Sequence, residues 1–208
     1  MGIFKKIFRK VSVTSESGRS TAERSKYMPE EKLPLDEQFI HNFSRQGGRF
    51  LYAVDENEVQ QHFEDILVEH DFFETPVFCY DEQLKERFNG FNLDFNQHLR
   101  ESSFFLSTCE YIIADNGAIL FSSNQIKENK PKQLPDTFVV LASTSQIVES
   151  IGEGLRGIKH HNSRGSIPTN ITTLKNFQDQ SLTKEKEKDL MNYGVPNKRL
   201  YLILLEDL

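Results

Sequence analysis

Three short stretches of this chain carry side chains able to hold a small anion. Asp115-Asn116-Gly117 sets a carboxylate and an amide at a break between the apolar segments Tyr111–Ala114 and Ala118–Phe121. His160-His161, beside Lys159 and Arg164, offers cations for a carboxylate or phosphate. Thr169-Asn170 adds a hydroxyl and an amide in a polar loop. Were an anion bound at a mouth formed by these stretches, Asp115 would accept a hydrogen bond, Thr169 and Asn170 would donate, and Arg164 or His161 would supply the positive charge. Each stretch also has a plainer reading. Asn-Gly is the preferred pair for a tight hairpin, so Asp115-Asn116-Gly117 reads equally as a turn, with Gly117 kept for positive φ or close approach. His160-His161 reads as a solvated loop, and adjacent histidines in a strand point to opposite faces, which disfavours a metal pair.

The remaining chemistry-bearing residues form no recognisable catalytic set. Glu64, Asp65, Glu69 and Asp71 lie beside His62 and His70 on an amphipathic pattern and read as its solvated face, so no metal site is assigned. Gly152-Glu153-Gly154-Leu155-Arg156-Gly157 has three glycines, but inside a helical pattern and not between a strand and a helix start, as a dinucleotide fingerprint requires. Cys79 and Cys109 are too few for a disulfide framework or an iron-sulfur set and read as buried thiols. Catalytic residues stay unassigned.

The elements that must position these residues alternate in type. After Pro34, Phe39, Ile40 and Phe43 give a helical face that stops at Gly47-Gly48. Arg49–Val54 reads as a strand, and Val59, Phe63, Ile66 and Leu67 as a helix capped near Asp55. Strand Pro76–Tyr80 and a helix over Glu82–Phe88 continue the strand-helix-strand order of a parallel sheet. Gly90–Arg100 has no clean period. Strands follow over residues 103–108, 111–114, 117–122 and 137–142. Ser145 then opens a helical pattern through Ile147, Val148, Ile151 and Leu155. Leu200–Leu205 is apolar throughout and reads as a central strand.

Composition narrows the function classes. The 208 residues, 37% of them hydrophobic, suit one domain plus a tail. A net charge of -6 repels nucleic-acid phosphate, so no nucleic-acid partner is expected. No apolar run approaches the roughly 20 residues of a spanning helix. Residues 1–11 place Ile3, Phe4, Ile7, Phe8 and Val11 at helical spacing among Lys5, Lys6, Arg9 and Lys10, a short basic amphipathic helix. It reads as a weak hold on an anionic membrane surface or a partner groove, or as a frayed terminus. Lys6 occupies the place where a myristoylation motif needs Ser or Thr. Residues 12–34, rich in Ser, Glu, Arg and Lys, read as a flexible linker to a domain over residues 35–208. With two cysteines and no secretory apolar segment, the expected location is cytoplasmic, peripheral at a membrane if residues 1–11 engage one.

The segment Tyr111-Ile112-Ile113-Ala114-Asp115-Asn116-Gly117-Ala118 resembles the Ala-Asp/Glu-Thr-Gly-Thr segment of the LUD domain, the family of lactate utilisation protein C. The likeness runs from about residue 35 onward and includes the loop Arg164–Lys175, which is similar to the family's Gly-Pro-Ser-x-Thr-x-Asp-Ile-Glu. Pro168 and Leu174 keep the family's Pro and Ile, and Thr169 stands for Ser. Ile167, Ile171, Thr173 and Lys175 stand where Gly, Thr, Asp and Glu would be, so the acidic pair is gone. Asn116 and Ala118 likewise replace two threonines. The resemblance implies an α/β fold, a mostly parallel sheet flanked by helices, similar to the ribose-5-phosphate isomerase and CoA-transferase group. It implies an accessory subunit in the oxidation of L-lactate to pyruvate, with no cofactor in this chain and iron-sulfur subunits as partners. The lost carboxylates leave a second expectation, a diverged, non-catalytic protein that binds a small anion or serves as a scaffold.

Overall fold

Pro34, in extended conformation, leads into helix α1 (Leu35–Arg45), whose Asp36 and Glu37 sit at the positive end of the helix dipole. Phe39 and Phe43, one turn apart, are its buried residues and stack at a ring separation of 5.2 Å. The computed structural model describes residues 33–96, 98–99, 101–161, 165–175 and 198–207. The amphipathic segment 1–11, residues 12–32 of the linker and Arg164 lie outside the described residues.

Strand β1 (Arg49–Ala53) leads to helix α2 (Glu56–His70), where Asp55 accepts a hydrogen bond from the Glu58 amide at 3.0 Å and so caps the first turn. Strand β2 (Pro76–Phe78) is followed by the short helix α3 (Glu82–Arg87), capped by Asp81, then by strands β3 (Asp94–Asn96) and β4 (Phe104–Thr108). Strands β5 (Tyr111–Ile113) and β6 (Ala118–Phe121) form a hairpin, and helix α4 (Ser123–Ile126) leads from it to β7 (Thr137–Ser143). The two-residue strand β8 (Ile147–Val148), helix α5 (Ile151–His161), β9 (Thr172–Leu174) and β10 (Arg199–Leu205) complete the order.

Six strands form a wholly parallel sheet in the order β1-β10-β7-β4-β2-β3. β10 lies between β1 and β7 with Leu200–Leu204 buried, as an apolar run covered on both faces requires. On one face, Phe63 of α2 stacks on Phe88 at 4.0 Å over Phe104, Leu106, Val139 and Ile203. On the other, Phe105 and Phe121 both meet Phe138, at 5.1 and 6.0 Å, which seats the hairpin on the sheet. A second sheet, ordered β8-β5-β6-β9, carries α5 on its far side, where Ile158 joins Ile113, Ala118 and Leu120. The mostly parallel α/β architecture expected from the sequence is therefore present.

Two segments differ from the sequence reading. Ile147 and Val148 belong to a strand, and α5 begins only at Ile151. Their apolar spacing suits either element, and pairing to Ile112 and Ile113 of the hairpin decides it. Leu155, expected on the helix's inner face, is 41% exposed; Gly154 and Ile158 face inward instead. The unplaced segment after Gly90 contains β3, which needs only three residues to pair with β2.

Candidate functional site

Asp115-Asn116-Gly117 forms the turn of the β5–β6 hairpin and docks on α1. The Asn42 side-chain amide donates to the carbonyls of Ala114 and Asp115 at 2.8 and 3.2 Å, and that of Gln46 donates to the Asn116 carbonyl at 2.6 Å. The Asn116 side-chain oxygen accepts from the Ala118 amide at 3.1 Å. Gly117 has φ of +61°, and a Cβ there would lie 2.6 Å from the backbone of Asn42 and Phe43. Both backbone reasons for a glycine apply at this position. The Asp115 side chain is exposed, yet partial desolvation raises its pKa; Lys175 opposes the rise and Glu149 adds to it.

Thr169 and Asn170 lie at the other end of the hairpin. β9 runs antiparallel to β6, pairing Ile119 with Leu174 and Phe121 with Thr172. Thr169 then exchanges two bonds with Ser123, its carbonyl accepting at 2.8 Å from the Ser123 amide and its amide donating at 2.9 Å to the Ser123 hydroxyl. The length of β6, at about 3.3 Å per residue, separates this place from Gly117 by roughly 15 Å. The Asn170 side-chain amide donates to the carbonyls of Lys127 and Asn129 at 2.7 and 2.9 Å. His161 is at the end of α5, its Nδ1 3.1 Å from the Tyr111 hydroxyl and 3.0 Å from the Gly157 carbonyl. The candidate residues thus fall into separate places, with Lys175 near Asp115 and Thr169-Asn170 against α4.

Two of the three glycines of α5, Gly154 and Gly157, have packing roles where the helix meets the hairpin. A Cβ at Gly157 would overlap the Tyr111 hydroxyl, and one at Gly154 would press Leu120 at 3.0 Å. The acidic residues Glu64, Asp65, Glu69 and Asp71 are exposed on or just after α2, while His62 meets the Tyr52 carbonyl at 2.9 Å and His70 the Tyr201 hydroxyl at 2.5 Å. Among the described residues no group of three or more His, Cys, Asp or Glu side chains gathers to hold a metal. Cys79 and Cys109 are both buried. Burial pushes the Cys79 thiol up to about 11 and the Cys109 thiol further.

A continuous polar belt follows the carboxyl ends of the parallel strands, where open α/β sheets place ligands. Beyond β10, Asp207 accepts from the Thr144 hydroxyl at 2.5 Å, the Ser145 amide at 2.8 Å and the Ser145 hydroxyl at 2.5 Å; these bonds outweigh its desolvation and hold its carboxyl far below the usual range. Gln146 donates to the carbonyls of Cys109 and Glu110 at 2.7 and 3.2 Å. One Glu110 oxygen, Oε1, accepts from Ser122 at 2.6 Å, Asn124 at 2.8 Å and Gln125 at 3.1 Å. Asn129 donates to the Tyr80 hydroxyl at 2.9 Å, and the Lys127 ammonium stands 5.6 Å from the Tyr80 ring centre.

The belt crosses a point of divergence in the sheet. After β2 the chain passes to β3 on one side, and after β4, by way of the hairpin, to β7 on the other, so the ends of β2 and β4 flank the topological switch point of the sheet. Tyr80 follows β2 there and Glu110 follows β4. Thr169 and Asn170, singled out in the sequence as ligand candidates, adjoin this belt through Ser123 and the carbonyls of Lys127 and Asn129; Tyr80, Glu110 and Lys127 were not singled out, since no motif marks them. Their only signal was position just after a buried strand or a short helix.

Comparison with known proteins agrees with this architecture. The crystal structure of a DUF162 family protein from Deinococcus radiodurans superposes with a TM-score of 0.56, covering 83% of this chain and 96% of that one at 14% identity. No curated protein matches the sequence. The family model described as the LUD domain matches residues 37–205, which span both sheets and every element from within α1 to the end of β10. The chain belongs to the LUD domain family.

Proposed function

We propose that the chain is an accessory subunit in the oxidation of L-lactate to pyruvate, working with iron-sulfur partner subunits. Family membership is the observation that carries this reading. The state of the two cysteines is compatible with it: both are buried with raised pKa values, so neither is poised for thiol redox chemistry of its own. In this reading residues 1–11 hold the chain to an anionic membrane surface or to a partner. A second reading, a non-catalytic small-anion-binding or scaffold protein, is favoured by the loop before β10. Thr173 pairs with Leu120 in the second sheet and Lys175 acts on Asp115, so the two positions where the family carries acids serve other ends here.

The test is affinity purification from the native host under anaerobic, low-salt conditions, with co-purifying proteins identified and lactate-dependent dye reduction assayed. Iron-sulfur subunits recovered with activity support the accessory role. A chain recovered alone and inert refutes it and favours the second reading.

A further inference from the structure

We infer that Glu110 and Lys127, held on either side of Asn124 at the switch point between the ends of β2 and β4, form a receptor for a small carboxylate that also carries a hydroxyl. This deepens the small-ligand part of the function proposed above and rests on it.

The two charges share one neighbour without neutralising each other. The Asn124 side chain donates to Glu110 Oε1 at 2.8 Å, while its backbone carbonyl accepts from the Lys127 ammonium at 3.3 Å. Among the described residues, no carboxylate pairs with Lys127, and all three donors to the Glu110 carboxylate converge on Oε1, leaving Oε2 without one. An ammonium with unused donors and a carboxylate oxygen with unused lone pairs are complementary to a ligand with an acceptor at one end and a donor at the other. A hydroxy acid has both.

The backbone under Lys127 supports a role beyond folding. Lys127 has φ of 51° and ψ of −132°, a region that side chains avoid, and it is fixed from both directions. Its amide donates to the Ser123 carbonyl at 3.1 Å, and its own carbonyl accepts from Asn170 at 2.7 Å. Glycine would occupy this position at lower cost, so a lysine here keeps an unfavourable backbone in exchange for an ammonium beside Tyr80. Asn170, from the loop that resembles the family motif, is the residue that pins it.

The experiment is isothermal titration calorimetry of the full chain with L-lactate and with propionate, its counterpart without the hydroxyl, alongside thermal melts of each variant. The wild-type chain should prefer L-lactate to propionate. Lys127→Gly should melt higher yet lose about tenfold or more in affinity for both acids, and Lys127→Arg should restore binding. Glu110→Gln, which keeps an oxygen for its three donors, should abolish the preference for the hydroxyl while the chain still melts cooperatively. The inference is overturned if the wild type binds neither acid, or if Lys127→Gly binds L-lactate unchanged. Because no partner is present, a chain that binds L-lactate but recruits no iron-sulfur subunit refutes only the accessory role, and one that recruits them but binds no acid refutes only this site.

Discussion

Replacing Gly117 by alanine is the sharpest test of how the hairpin is held. The added methyl meets two separate penalties. With φ of +61°, an alanine at this position costs about 1–2 kcal/mol in backbone energy. Its Cβ would also lie 2.6 Å from the Asn42 carbonyl carbon and the Phe43 amide nitrogen, which are backbone atoms of α1 and cannot rotate aside. Overpacking of this kind costs about 1–3 kcal/mol. Together the loss is about 2–5 kcal/mol, a large share of the roughly 5–15 kcal/mol that keeps a domain folded. In a domain of this size it lowers Tm by about 4–20 °C. Urea denaturation of Gly117→Ala should therefore show a large drop in midpoint with little change in slope. Gly90→Ala is the matched control, because nothing lies within 4 Å of a Cβ there. A Gly117→Ala loss under about 1 kcal/mol, or one equal to the control's, would show that the hairpin is not pressed on α1 as described.

The other expectations concern buried groups. The Thr137 hydroxyl is buried without a partner among the described residues, so Thr137→Val should stabilise the chain by about 1 kcal/mol in chemical denaturation; destabilisation would mean that the hydroxyl is satisfied. Desolvation holds the His70 pKa below its usual value, with Arg199 and Arg49 adding to the effect and Glu69 opposing it. The unfolded chain then binds a proton first, so this contribution is complete above the usual histidine value and is lost as pH falls below about 6.5. His70→Gln should flatten stability between pH 7 and 5, and an unchanged pH profile would refute the assignment. Iodoacetamide should label Cys79 and Cys109 at pH 8 far more slowly in the folded chain than in urea; rapid labelling when folded would contradict their burial.

Most of the parallel sheet was legible because its strands are short apolar runs between turn and cap residues. Asp55 announced the start of α2, and the unbroken Leu200–Leu204 announced an interior strand. The second sheet was harder to read. Ile147-Val148 has spacing compatible with a helix, and only the neighbouring hairpin makes it a strand. The turn at Asn116-Gly117 was visible in the sequence, but its docking partners Asn42 and Gln46 lie about 70 positions away and carry no local signal. The carboxyl-end belt was largely hidden for the same reason, since Tyr80, Glu110 and Lys127 meet only once three separate connections fold against one another.

The position of β10 has a consequence for synthesis of the chain. It is the last described strand, yet it fills the place between β1, the first, and β7. Until it arrives, both of those strands present open edges, and the two sides of their future neighbour remain unfilled. At about 5–20 residues per second, a ribosome needs on the order of 10 to 30 s to pass from β1 to β10. For that interval Leu51 lacks its partner strand, and once β7 has been made Val139 and Leu141 lack theirs as well. A truncation before Arg199 removes an interior strand and cuts β1 off from the rest of the sheet instead of trimming its margin.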